Sequence, residues 1–345
     1  MPMVRAMRML NAVEAGTTSG AQLETLITTD PGRLAELNVL LGMRGQARRL
    51  AASSTAMAAV AASSTAMAAV IASSTAMAAV IASSTAMTAV AASSSAMTAV
   101  IASSTAMTAV AASSTAMAAV AASSTAMTAV NANDQAVRIW MLAGTGLSYT
   151  SYADVAAVAA SSSAMAAVAA SSTAMTAVIA SSTAMAAVIA SSSAMAAVAA
   201  SSTAMTAVAA SSTAKMAVFN SDTALDAIAA SATALGSMRA AAQYAVLATS
   251  SAAGNTVRTL AGTVPTASYI VLGVSTNDSN TGATMTVATL RPGSTRQNTN
   301  VTAAGNVSLA TALGPLVMPM VSPFTIVSTD TSTQICYVGA LRCDV

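Results

Sequence analysis

The chain has 345 residues, 55% of them hydrophobic but only 2% aromatic, with 7% charged residues and a formal net charge of +2. The apolar excess is alanine, which buries little area at about 25 cal/mol per Å², so a compact core of the usual Leu, Ile, Val and Phe kind is not expected. So small a charge excludes the electrostatic footprint of nucleic-acid or acidic-lipid binding, and the lack of histidine removes the commonest general base and metal ligand.

An alanine-rich chain offsets its own ordering entropy poorly, so an obligate homo-oligomer is expected, with copies covering one another's small apolar faces. No apolar run of signal-peptide length follows the opening Met-Pro-Met-Val-Arg, and no secretory signal is expected. Ser-Ser-Thr or Ser-Ser-Ser recurs every ten residues in the repeats, leaving no window near the ~20 apolar residues of a membrane span. Cys336 and Cys343 have neither disulfide-framework nor zinc spacing and read as half-buried thiols.

Residues 1–50 form a helical segment with the densest charge and the largest apolar side chains. Ser19 and Gln22 make a capping box for a helix over 20–28, and Asp30-Pro31 opens another. Leu34, Leu37, Leu40 and Leu41 then give an amphipathic stripe expected to run to about Leu50. Arg33, Arg44, Arg48 and Arg49 lie along it, either as a solvated face or as an attachment surface for an acidic partner.

Residues 51–130 are eight copies of a decad whose commonest form is A-A-S-S-T-A-M-A-A-V. Alanine favours helix over strand. On a helix, the Met, the Val and the residue after it share an arc of roughly 100°. That seam slips by about 80° per decad, against about 20° for a heptad, so a straight isolated helix is excluded. Two arrangements remain open. Chains can wind in a tight left-handed supercoil with a pitch of order 70 Å, or each decad can be a short helix interrupted at the Ser pair, whose hydroxyls cap the next. Both predict a multi-chain, coiled-coil-like rope in which Met is packing. A fully helical shaft over 51–250 would be on the order of 300 Å long.

Residues 131–158 interrupt the repeat with the only Trp (Trp140), Tyr149, Tyr152 and a Gly-Thr-Gly. The alternation of Val137, Ile139 and Met141 suggests a short strand and the glycines a turn. Decads resume over 159–250 in a shifted frame and then degrade: Lys215, the only lysine, and Leu225 and Leu235 take Met positions, as in capping repeats. Residues 239–250 are expected to finish the helix. From about residue 255, strands are expected over 268–274, 284–290, 324–327 and 334–341, with turns at 277–282 and 291–294, giving a small antiparallel β-sandwich or jelly-roll knob over 255–345.

No catalytic constellation, cofactor site or metal site is visible, so no enzyme is expected. Asp278 and Asp330 read as turn residues rather than as a glycosidase pair. Polar groups on the knob's turns, Asn277, Asp278, Asn280, Arg291, Arg296, Asn298, Asn300 and Asn306, are the candidate receptor-binding residues.

The layout of helical end, S-S-T-A-M-A-A-V and S-S-T-A-M-T-A-V shaft, and β knob resembles a fibre protein of a tailed bacteriophage, a tail or head fibre. That resemblance implies a mainly α, elongated homotrimer carried on the virion and assembled in the bacterial cytoplasm. Its N-terminus would dock on tail or capsid proteins and its knob would contact a glycan or protein of the host surface. Decads stand where better-known fibres have heptads. Two alternatives are a trimeric bacterial surface adhesin and a glycan-degrading tailspike-type enzyme.

Overall fold

A computed structural model describes residues 2–248, 257–259, 267–276, 284–287, 301–302, 318–321, 325–328 and 336–345. The protein is mainly helical, built of many short helices followed by antiparallel strands. It divides into two compact units, residues 1–155 with 176–184, and residues 156–175 with 185–345.

Of the two arrangements open to the decad, the structure takes the interrupted one. Ser54–Ala61, Ser64–Ala72 and Ser74–Ile81 are separate helices, and the pattern repeats through Ser124–Asn131. The first serine of each pair makes the break. Ser93, with φ −103° and ψ 115°, donates its N–H to Val90 and accepts the Ala96 N–H on its own Oγ, ending one helix and capping the next. A single extended residue suffices to turn the axis by 98–105° between the neighbours measured. Among the described residues no single helix is long and apolar enough to cross a membrane.

Turns of this size bring every third helix into register. Ser54–Ala61 packs on Ser84–Ala92, which packs on Ser114–Ala121, so three decads make one coil. The same serine hydroxyls join the coils: Ser83 donates to the Ala51 carbonyl, Ser93 to Ala61 and Ser123 to Ala91, each at 2.6 Å and 32 residues back. Because each helix restarts at its serine, the seam slip never accumulates. Positions six, seven and ten of the decads over 51–130 face inward; Ala56, Met57 and Val60 are at most 1% exposed. Positions two, four, five and eight of this decad lie outside.

This overturns the burial argument for a multi-chain rope, since Met and Val of one coil are covered by the next coil of the same chain. It also shortens the advance along the stack within a unit. Thirty residues advance by one helix-packing distance, about 8–10 Å, where a straight helix would cover about 45 Å; the 300 Å estimate therefore fails.

In the first unit, α1 (Pro2–Glu14), α2 (Gly20–Thr29), α3 (Pro31–Gly42) and α4 (Arg44–Ala52) precede the decads. Ser19 and Gln22 form the capping box, and Asp30 caps α3 with Pro31 at its first turn. The helix expected to run to Leu50 breaks at Met43, ten residues before the Ser53 break, with the same extended backbone. The coil geometry thus begins before the repetitive sequence does. α2 packs on Ser54–Ala61, α3 on Ser64–Ala72 and α4 on Ser74–Ile81, while α1 covers α3 and Ser54–Ala61. Leucines here replace the Met and Val of later coils, around a void of about 20 Å³ lined by Met9, Leu23, Leu40 and Leu50.

Residues 131–140 are a ninth decad in other letters. Asn133 replaces the capping serine, its Oδ1 accepting the Ala136 N–H at 3.0 Å, and Val137 and Trp140 occupy the buried Met and Val places. The strand expected from Val137, Ile139 and Met141 is therefore the helix Asp134–Met141. The turn follows it, with Gly144 and Gly146 at φ 72° and 74°.

In the second unit the degenerate decads keep the same form. Ser201, Ser221 and Ser231 donate to Ala169, Ile189 and Ala199, again 32 residues back. Helix ends at Arg239, and β1 (Tyr244–Ala248) replaces the helical finish expected over 239–250. The further strands are β2 (Val257–Thr259), β3 (Ser268–Thr276), β4 (Thr284–Val287), β5 (Val301–Thr302), β6 (Met318–Val321), β7 (Thr325–Ser328) and β8 (Cys336–Arg342). One antiparallel sheet has the order β1-β8-β3-β6 and another β2-β7-β4-β5. Ile270, Val271, Leu272, Val338, Ala340 and Leu341 are buried. Tyr244 lies so close to Gly339 that a Cβ there would meet its hydroxyl at 2.3 Å.

Candidate functional site

The four candidate attachment arginines, Arg33, Arg44, Arg48 and Arg49, have two different fates. Arg33 lies 3.4 Å from the Glu36 carboxylate, which Arg5 also reaches at 2.9 Å, and Arg49 is held by Glu14 and by Asn11 Oδ1 at 2.7 Å. These pairs tie α1 to α3 and to α4. Arg44 and Arg48 are exposed one helical turn apart on α4 and have no acceptor among the described residues. They edge a cleft of about 260 Å³ floored by Ala51, Ala52, Ala78, Ala79 and Ala82. The attachment set read from the sequence is thus divided into an internal pair and an outward pair.

Glu24 on α2 was not visible as a functional residue. Its carboxylate accepts from the hydroxyls of Ser63, Ser64 and Thr65, the last at 2.7 Å, and from the Thr65 N–H at 3.1 Å. The Ser63 bond first, then those from Thr65 and Ser64, holds its pKa below the usual carboxylate value against a smaller opposing effect of burial. Ser63 is a capping serine that donates to Glu24 rather than to a main-chain carbonyl 32 residues back. The only sequence signal is a lone glutamate within α2, about forty residues from its partners.

Behind the turn of residues 142–154, Arg138 organises the chain. Its guanidinium bonds Asp134 at 2.8 Å and the carbonyls of Tyr149 and Tyr152 at 3.1 and 2.6 Å, with the Tyr149 ring 5.9 Å away. Trp140, fully buried, donates Nε1–H to the Ala177 carbonyl at 2.9 Å. Ser181 donates to Asn131 Oδ1 across 50 residues, where the ladder elsewhere spans 32, an excess of 18. These residues are looped out without breaking the stacking rule. Leu147, 39% exposed, and Tyr149 face a cleft of about 400 Å³.

In the second unit, Lys215 stands at a Met position with no exposed surface and donates to the Val345 main-chain oxygen at 2.6 Å. Burial lowers its pKa. Burial likewise pushes the neighbouring Cys343 thiol up to about 12, so it is an inert packing group rather than a nucleophile. Arg239 donates to the Leu272 carbonyl at 2.7 Å, a second tie between helices and sheet. The candidate receptor-binding residues Asn277, Asp278, Asn280, Arg291, Arg296, Asn298, Asn300 and Asn306 lie outside the described residues, as does Asp330.

No protein-family model matches the chain, and no curated protein matches it in sequence.

Proposed function

We propose that this protein is a structural and adhesive fibre of a bacteriophage virion. Its N-terminal end docks on tail or capsid proteins, and its C-terminal β region, a β-sandwich or jelly-roll knob, contacts the host surface. The observation that carries this reading is the self-sufficiency of the decad. The decad serines cap their own helices and several also bond a carbonyl of the neighbouring coil, around an interior of Ala, Met and Val and beneath an exterior of Ala, Ser and Thr. Such a segment holds apart what lies on either side of it. Distinct chemistry sits in the arginine-bearing N-terminal coil and in the β region.

In this reading the trimer forms through the β region, because the decads bury their seam within one chain. The test is electron microscopy of the purified virion with a tag at each terminus, together with light scattering of the isolated protein. N-terminal tags on the particle, C-terminal tags distal and a three-chain mass support the proposal. A compact monomer in solution, or a protein absent from particles, overturns it.

A further inference from the structure

From the division of the N-terminal arginines, we infer that Arg44, Arg48 and the alanine-floored cleft beside them are the docking surface for an acidic peptide segment of the attachment partner. The inference rests on the N-terminal end being the attachment end and names which part of that end makes contact. Arg5, Arg33, Arg49 and Arg138 each hold a carboxylate of this chain. Arg44 and Arg48, four residues apart on one helix face, hold none among the described residues.

That placement is unfavourable for the free chain. Like charges four apart on a helix repel, and Arg44 opens α4, where the helix dipole disfavours a cation. Met43, 42% exposed, also gives α4 no side-chain cap, unlike every decad helix from Ser54 to Met141. A partner carboxylate on each guanidinium would relieve the repulsion.

The cleft selects the rest of the ligand. Its methyl floor, from Ala51, Ala78, Ala79 and Ala82, accepts small aliphatic side chains, and its volume of about 260 Å³ suits a few of them. A segment alternating carboxylate and alanine-sized residues matches both walls. Two guanidiniums on an uncharged array neutralise too few phosphates for a nucleic-acid track.

The test titrates the full-length protein with a fluorescent peptide of glutamate and alanine, beside a glutamine–alanine peptide and single-stranded DNA of equal charge. The glutamate peptide should bind, weaken as salt rises, and lose roughly tenfold in the Arg44→Gln/Arg48→Gln variant. Arg8→Gln, on α1, should leave binding unchanged. The reversal Arg44→Glu/Arg48→Glu should instead bind a lysine–alanine peptide, a gain that misfolding cannot imitate. Equal binding of the glutamate and glutamine peptides, or no effect of the arginine variants, overturns the inference. Tighter, arginine-dependent binding of the DNA overturns it as well. If tags place the N-terminus away from the particle, the attachment reading fails; a null titration with the N-terminus on the particle fails this inference alone.

Discussion

The interior coils and the first coil solve the same problem with different chemistry. In the interior, Ser93 caps its helix and donates to the Ala61 carbonyl, a neutral bond repeated with the same 32-residue step. In the first coil, Ser63 caps in the same way but donates to Glu24, which also gathers Ser64 and Thr65. Repetition therefore yields a body without titrating groups, and its edge is finished by an ion. A periodic sequence can specify the middle of a stack but not its edge, because the edge lacks the neighbour that the period assumes.

The comparison breaks most visibly where a coil loses its core. Trp140→Ala empties the largest buried side chain of the first unit and strands the Ala177 carbonyl, so urea unfolding should show a loss of about 3–5 kcal/mol. Met107→Ala removes a fully buried Met from a regular coil and should cost about 2–5 kcal/mol. If cost at Met positions is uniform, Met97→Ala and Met107→Ala should agree closely in the same titration. Next comes the ladder: Ser93→Ala deletes both a cap and a coil-to-coil bond, for about 1–2 kcal/mol.

The smallest effect, and the one that separates edge from interior, is pH dependence at Glu24. Its pKa is lowered in the folded state, so its contribution is complete above the ordinary glutamate value and is lost as pH falls through the folded one. Glu24→Gln should lower the urea midpoint at neutral pH, and the difference should shrink as the pH falls through the lowered folded-state value. The Ser93→Ala deficit should not change over that range.

Much of this was legible from residues. The capping box at Ser19, the Asp30-Pro31 start, the inward Met and the turn at Gly144 and Gly146 follow from local rules and are found in place. The destination of the seam was not legible. The slip of the decad forbids a straight helix, but whether a Ser pair merely caps or turns the axis by about 100° depends on one residue's ψ, which helix propensity does not report. The alternation of Val137, Ile139 and Met141 points to a strand, but the ten-residue frame, which places Asn133 at the cap and Trp140 at the Val position, makes the segment a helix. In the N-terminal segment, Arg33, Arg44, Arg48 and Arg49 look alike in sequence. Only tertiary structure shows that Glu36 and Glu14 take Arg33 and Arg49 and leave Arg44 and Arg48 facing outward.

Three decads of one chain close one coil. Thr88 and Ala118 occupy the same exposed position on Ser84–Ala92 and Ser114–Ala121, which pack together. Spin labels at these two sites, with Cys336 and Cys343 replaced by alanine and labelled chains diluted in unlabelled ones, report that packing directly. The coil predicts strong dipolar broadening at about 10 Å; a separation near 45 Å, that of a continuous helix, would contradict it.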